Sequence, residues 1–233
     1  MLPLSVVVVN WNTLDMLTRC LDTLKGSVRI QHEVVVVDNG STDGSAKMLG
    51  ARADVRTVLL PENRGYAGGN NAGIGTASGE AVCLLNSDAF VTRGALESLV
   101  ETVRQPGVGL AGPCTNRARG LQRRKPWLGF IPPPFRPVCE TDFLSFFCVM
   151  VRREVLVSVG LLDERFKIGT YEDNDYCRRV KAAGWKLMVD GRAWVWHEEH
   201  STFLANRLDD VKVMDHNRAV FEEKWGPGSC DQT

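Results

Sequence analysis

The chain carries no excess of either charge: 28 Lys and Arg offset 28 Asp and Glu over 233 residues. No net field draws in nucleic acid or a membrane surface, so any such contact must be local. A bilayer-spanning apolar run is missing as well. The N-terminal LPLSVVVV is too short and has no basic residues ahead of it, which predicts neither an anchor nor a signal peptide. Seven cysteines (20, 83, 114, 139, 148, 177 and 230) form no CxxC pair, and most sit in apolar runs or helical patterns. That fits reduced thiols in a cytosolic protein and speaks against a disulfide framework. Phosphate loops of the GxxxxGKS or GxxxxGKT form are absent, and GYAGGN departs from GxGxxG. There is neither an internal repeat nor a low-complexity tract.

What remains is an ordinary globular composition, 44% hydrophobic and 24% charged, in a chain long enough to bury a sizeable core. Residues 4–9 (LSVVVV), 33–37 (EVVVV), 55–60 (VRTVLL) and 81–85 (AVCLL) are short apolar runs, as expected of strands buried on both faces. Between the first two, Leu14, Leu17, Leu21 and Leu24 recur at helical spacing, with Asn12 or Thr13 as the N-cap. Strands alternating with helices predict right-handed βαβ units and an α/β fold with a mostly parallel, doubly wound sheet. The second half is less regular. It offers a strand at 142–151, a short helix near 154–159, a helix from Glu172, two short runs (KLMV and AWVW) and an amphipathic helix over 208–225. Between the halves, residues 117–137 are rich in Arg and Pro and cannot be regular throughout.

Polar residues gather where strands end, at 10–12, 38–44, 63–71 and 86–88. In open α/β sheets that edge is where ligands bind. Each cluster also has a plain structural explanation. Asp38-Asn39-Gly40 alone reads as a turn, with Ser41 or Thr42 capping a helix, and the glycines at 65, 68, 69 and 73 as turn residues. Asp88 lies too far ahead of the helix expected near Arg93 to cap it. As a hard oxygen ligand at a strand end, it suits Mg²⁺ or Mn²⁺ beside a diphosphate. Glu172, Asp173 and Asp175 exceed what a helix dipole uses, and their mutual repulsion is tolerated where a cation or a proton transfer employs them. Asp173 borders the face marked by Tyr176 and Val180, at the mouth of a cleft. His197 ends an apolar run, where histidine is more often a structural residue than a ligand, and His200 reads as surface.

Taken in order, VVVVNWN, VVVVDNGSTDGS, NRGYAGGNNAGI, LLNSDA, GLLDERF, YEDNDYCRRVKAAGW and WHEEHSTF resemble the family 2 glycosyltransferases with the GT-A fold. Within that family the sequence is most similar to bacterial, rhamnosyltransferase-like enzymes of surface-polysaccharide assembly. The likeness covers roughly residues 4–203. It implies a single GT-A domain with a Rossmann-like sheet: a nucleotide-sugar half over 1–112, an acceptor-side half over 113–205 and a C-terminal helix over 206–233. It implies that Asp38 bonds the nucleotide base, with Gly40 in the same loop, and that Trp11 and Asn12 line the base pocket. Gly68 and Asn71 are expected near the diphosphate and donor sugar. Asn86-Ser87-Asp88 takes the place of the family's DxD-type motif, with Asn as its first member, so Asp88 is left to hold Mg²⁺ or Mn²⁺. His197 stands where the family can supply another metal ligand. Asp173 corresponds to the general base, with Glu172 beside it. One departure is Phe146-Phe147, where many relatives carry small residues; two rings there either reshape the sugar and acceptor pocket or fill core.

The expectation is a metal-dependent, inverting transfer from a UDP- or dTDP-linked sugar to a hydroxyl of a glycan or lipid-linked acceptor, in the cytoplasm. A non-catalytic nucleotide-sugar-binding domain is the main alternative, although it has no need of Asp173 or His197. A nucleotidyltransferase wants a basic, glycine-rich loop that residues 10–13 lack, and a dehydrogenase wants a dinucleotide fingerprint after the first strand. Arg117, Arg119, Arg123, Arg124 and Lys125, followed by Trp127, Phe130 and three prolines, form either a solvated loop or a contact to a lipid-linked pyrophosphate or an anionic membrane surface.

Overall fold

The structure is a computed structural model that describes residues 3–129, 131–199 and 201–229. Its first half runs β1 (Leu4–Asn10), α1 (Leu14–Ser27), β2 (His32–Asn39), α2 (Ser45–Gly50), β3 (Arg56–Leu60), α3 (Gly65–Thr76), β4 (Ala81–Asn86), β5 (Ala89–Val91), α4 (Ala95–Val103) and β6 (Val108–Cys114). A 3-10 turn at Gly120–Gln122 leads into β7 (Cys139–Thr141), β8 (Cys148–Arg152), α5 (Arg153–Ser158), α6 (Glu172–Ala182), β9 (Lys186–His197), α7 (Ser201–Ala205) and α8 (Asp210–Trp225). Phe130, His200 and Cys230 lie outside the described residues.

The sheet order is β3-β2-β1-β4-β8-β6-β9-β5, with β7 paired to β9. Between β3 and β9 only β8 runs against its neighbours; β1, β2, β3 and β4 pair in parallel, as do β6 and β9. Period-two alternation sends Val6 and Val8 to one face and Val7 to the other. The first face meets Leu17, Leu21 and Leu24 of α1 and Leu96 and Leu99 of α4. The second meets Ile74 of α3 and Tyr176, Cys177 and Val180 of α6. Both faces are therefore covered, which is why the strands read as unbroken apolar runs. Register then aligns the strand ends, with Asn10 opposite Asp38 and Val9 opposite Asn86.

Several local expectations change. The glycine-rich stretch after β3 is not a loop but helix α3. Its glycines let the helix lie against β1: a Cβ at Gly73 would stand 2.3 Å from Val7 Cγ1, and one at Gly69 2.6 Å from Val9 Cγ1. The expected strand at 142–151 shrinks to Cys148–Arg152, because Ser145 N bonds Gln122 Oε1 at 2.7 Å and the Thr141 hydroxyl turns the chain at Phe143. The runs KLMV and AWVW are one strand, β9, with residues 191–193 bulged out between its pairings to Pro113 and Cys114. Buried Asp190 holds that bulge by accepting from Arg192 N and Thr102 Oγ1, at 2.9 and 2.8 Å.

The caps differ too. Thr13 precedes α1 but turns its hydroxyl to Asn10, while Asp43 accepts from Leu14 N at 2.8 Å and from Ser45 N at 3.0 Å, serving the starts of both α1 and α2 in place of Ser41 or Thr42. Helix α8 lacks the expected apolar stripe; its buried residues are Asn217 and Phe221. The six described cysteines are free, five of them buried. Among the described residues no helix is long and apolar enough to cross a membrane.

Candidate active site

At the carboxyl edge of the sheet lies a cavity of about 310 Å³. Trp11, Asn86, Ser87, Asp88, Glu172, Asp173 and His197 all line it, so seven residues singled out from the sequence meet in one place. Asn12, Asp38, Gly40, Gly68 and Asn71 do not line it. Asp38 is buried and accepts from Asn10 Nδ2 and Ser41 N, both at 3.2 Å, which fixes the loop after β2. Asn12 completes that loop, accepting from Thr42 N at 2.7 Å and donating to Asn206 Oδ1 at 2.6 Å. At Gly40 a Cβ would sit 2.8 Å from the Glu62 backbone, and at Gly68 one would sit 2.7 Å from Arg64 Cβ. Asn71 clasps Leu162 through both its amide atoms and also donates to Glu164.

Asp88 and His197 are brought together by the antiparallel pairing of β5 with the end of β9, which sets Ala89 opposite His197. His197 Nε2 lies 3.4 Å from Asp88 Oδ1. The Nδ1 of the same ring donates to the Arg117 carbonyl at 3.1 Å, which leaves Nε2 facing Asp88. Burial alone would raise the Asp88 carboxyl, but His197 and the donors of Ser201 outweigh it and hold the group below the usual carboxylate range. Burial likewise works to lower the His197 pKa, and the Asp88 carboxylate outweighs it and raises the pKa. Phe147 stacks on the His197 ring, centroids 4.9 Å apart and planes at 19°, while Phe146 meets Tyr176 edge-on. The two rings thus pack into the core and back the cavity at once. The Oδ1 of Asn86 is buried in the same cavity wall without a hydrogen-bond partner. With Asp88 and His197 it makes an oxygen and nitrogen donor set that fits Mg²⁺ or Mn²⁺, whose remaining positions would fall to water and phosphate oxygens. Among the described residues no cluster of three or more His, Cys, Asp or Glu side chains is assembled.

The second acidic group opens α6. Ile168, Thr170 and Tyr171 hold φ of 61°, 90° and 67°, in the left-handed region that costs non-glycine residues about 1–3 kcal/mol each. This bend delivers Glu172 and Asp173 to the cavity at the helix mouth. Glu172 is buried, with Oε2 unpartnered, and burial together with the neighbouring Asp173 charge pushes its carboxyl up to about 8. Asp173 is pushed up to about 6 by burial, opposed by the Asn174 amide at 2.8 Å and by Arg119. The pair therefore carries one charge at neutral pH instead of two. Sequence reasoning missed Tyr66, Phe143, Thr202, Phe203 and Met214, which also line the cavity. Tyr66 lies in the GYAGG stretch taken for a loop, Thr202 and Phe203 close the WHEEHSTF motif without a role assigned to them, and Met214 of α8 carries no local signal.

The model of the family described as Glycosyl transferase family 2 matches residues 5–160, more than half of the chain. The chain belongs to glycosyl transferase family 2. Its curated relatives include the pre-mycofactocin glycosyltransferase of Mycobacterium tuberculosis, 28% identical over 209 residues that cover 84% of this chain and 43% of the relative. They also include the N-acetylglucosaminyl-diphospho-decaprenol L-rhamnosyltransferase of the same species, 28% identical over 241 residues, covering 85% of this chain and 77% of the relative. Among solved structures, GalNAc-T7 with UDP, GalNAc and Mn²⁺ superposes with a TM-score of 0.70 at 16% identity, over 84% of this chain and 44% of its own. The family 2 chain described here thus spans under half the length of two of these three proteins. Its architecture is the GT-A fold, a mostly parallel sheet between helices. Glu172, Asp173 and His197 lie beyond the stretch that the family model matches.

Proposed function

We propose that this chain is a metal-dependent, inverting glycosyltransferase that moves a sugar from a nucleotide-diphosphate sugar to an acceptor hydroxyl during polysaccharide or glycoconjugate assembly. The observation that carries the reading is one cavity holding two acidic groups of opposite tendency. Asp88 is kept ionised by His197, whereas Glu172 and Asp173 are pushed toward their neutral forms. Asp173, at about 6, is ionised at neutral pH yet more basic than a free carboxylate, while Glu172, at about 8, keeps its proton. Asp173 takes the proton of the acceptor hydroxyl as that oxygen bonds the anomeric carbon and the carbon's bond to the diphosphate oxygen breaks. A single displacement with one base inverts the anomeric centre. When bound at Asp88 and His197, with Asn86 beside them, Mg²⁺ or Mn²⁺ supplies positive charge against the departing diphosphate.

The nucleotide base lies beside Trp11 in this reading, with the loop of Asn12, Asp38 and Gly40 at its edge; Gly68 and Asn71 support it through α3. GalNAc-T7 was crystallised with UDP and Mn²⁺, which supports a UDP-type donor and a divalent cation here. The name of the mycobacterial rhamnosyltransferase supports a lipid-linked diphosphate as acceptor. Residues 117–125, with exposed Trp127 and Leu128 beyond them, are then suited to touch the anionic membrane surface where such an acceptor resides.

Thermal unfolding with UDP, dTDP or GDP, each with and without Mn²⁺, tests the reading. A ligand at a hundred times its Kd stabilises the native state by about 2.7 kcal/mol. One nucleotide should raise the midpoint only with Mn²⁺, Asp88→Ala should lose that increment, and Asp173→Asn should keep it while transfer falls about 10²–10⁴-fold. A shift that survives in Asp88→Ala, or transfer that survives in Asp173→Asn, sinks the assignment.

A further inference from the structure

The segment that carries the two cavity acids is held from behind by one side chain. Asn217, on α8, is fully buried, which is unusual for an amide in a helix that buries only one other residue. Its Oδ1 accepts from Lys167 N at 2.9 Å. Its Nδ2 reaches the carbonyls of Lys167, Gly169 and Thr170 at 2.9, 2.9 and 3.1 Å, and Thr170 Oγ1 at 3.1 Å. Every one of these atoms belongs to the left-handed bend of residues 167–171. Three carbonyls and a backbone N–H at one amide settle which end is oxygen and which nitrogen.

The bend needs such a hold. Three non-glycine residues in four adopt positive φ, and strain of that kind persists only where surrounding contacts over-determine it. On its far side the bend is tied to α3 by Tyr66 N donating to Ile168 O at 2.6 Å. Beyond it, the Tyr171 carbonyl accepts from Asp175 N at 2.9 Å, the first turn of α6. Phe221, one helical turn after Asn217, packs its ring 5.4 Å from that of Tyr171. The grip of Asn217 lies immediately ahead of Glu172 and Asp173; further along α8, Trp225 Nε1 donates to Asp175 Oδ1 at 2.9 Å and Lys224 pairs with Asp175 and Asp163.

We infer that Asn217 is a positioning residue for sugar transfer: it holds residues 167–171 in the bend that aims Glu172 and Asp173 into the cavity. It touches no reacting group itself. This rests on the reading of Asp173 as the base, and the test separates the two. Asn217→Ala removes the whole clamp; Asn217→Asp keeps the shape and the acceptor for Lys167 N but sets a carboxylate against three carbonyls. Both full-length variants are to be compared with the wild type in three measurements. These are the Mn²⁺-dependent nucleotide stabilisation, kcat and KM for the nucleotide sugar, and amide hydrogen exchange at Tyr66 and Asp175, which bond the bend but not Asn217. Exchange at both amides should quicken at least tenfold, kcat should fall at least tenfold with KM within threefold, and the nucleotide shift should remain. Thr170→Gly, which removes the φ penalty at one strained position, should restore part of the lost kcat in the Asn217→Ala background.

Unchanged exchange at Tyr66 and Asp175 overturns the inference whatever the activity. So does a loss confined to KM, or an equal loss of kcat in a variant whose bend stays protected. If Asn217→Ala does not fold, Asn217→Asp carries the same three measurements. Should the wild type bind no nucleotide, the glycosyl-transfer reading fails, and the exchange result still decides whether Asn217 holds the bend.

Discussion

Glu172 is a carboxyl whose pKa the fold raises, and that fixes the sign of its contribution to stability. Its value in the folded chain is about 8, against an unfolded value near 4.5. Between those values the folded state binds the extra proton, so stability falls as pH rises through that window. Glu172→Gln mimics the protonated form and removes the loss. Its melting point should match the wild type at pH 5 and exceed it at pH 8.5; an equal gap at both values would remove the burial argument. The residues that the sequence made legible are those that break a local pattern. Asp88 and His197 follow apolar runs at strand ends, Glu172 and Asp173 open a helix with more acid than its dipole uses, and the four meet in the cavity. Asp38 also ends a strand, yet its carboxylate is spent on Asn10 and Ser41. Nothing local in the sequence tells a carboxylate that faces a cavity from one that ties its own loop.

Among elements, α3 is the sharpest departure from expectation. Four of its five glycines read as turns, but the helix forms with Gly69 and Gly73 against β1 and β2, where side chains would not fit. Two effects compete at Gly73. Helix propensity favours alanine by about 1 kcal/mol, and overpacking costs about 1–3 kcal/mol. A Cβ 2.3 Å from a methyl of Val7, a stiff side chain on a fully buried strand, puts the clash at the upper end of that range. Gly73→Ala should therefore destabilise by about 1–2 kcal/mol, a drop of about 2–8 °C in melting point. A rise in melting point would mean that α3 can move off the sheet. Strands were legible because continuous apolar runs admit few alternatives at that length. Helix α8 was misread because its docking uses one amide and one ring in place of a stripe, a pattern with no period to detect.

Over the whole molecule, charge balance hides a local imbalance. Arg119, Arg123 and Lys125 are exposed alongside Trp127 at 59%, Leu128 at 81% and Phe135 at 76% relative accessibility. Basic groups near an anionic membrane contribute about 1 kcal/mol each and are screened by salt. The chain should sediment with vesicles containing phosphatidylserine at low ionic strength and be released on the order of 0.5 M salt. Replacing Arg123, Arg124 and Lys125 together by Gln should abolish sedimentation and leave the nucleotide-induced shift intact. Sedimentation that is indifferent to salt and to those replacements would mean the basic loop plays no part in the contact.

The cavity is lined by Val9 at one end of the chain and by Met214 near the other. During synthesis β4 and β5, which flank Asp88, emerge long before β9, which sets His197 beside it, and α8 comes later still. Domains fold largely as units as they leave the ribosome, at about 5–20 residues per second. A nascent chain holding everything through α6 would have both acids but no Asn217 to set their bend. On the reading above, competence to transfer a sugar waits for β9, which brings His197, and then for α8.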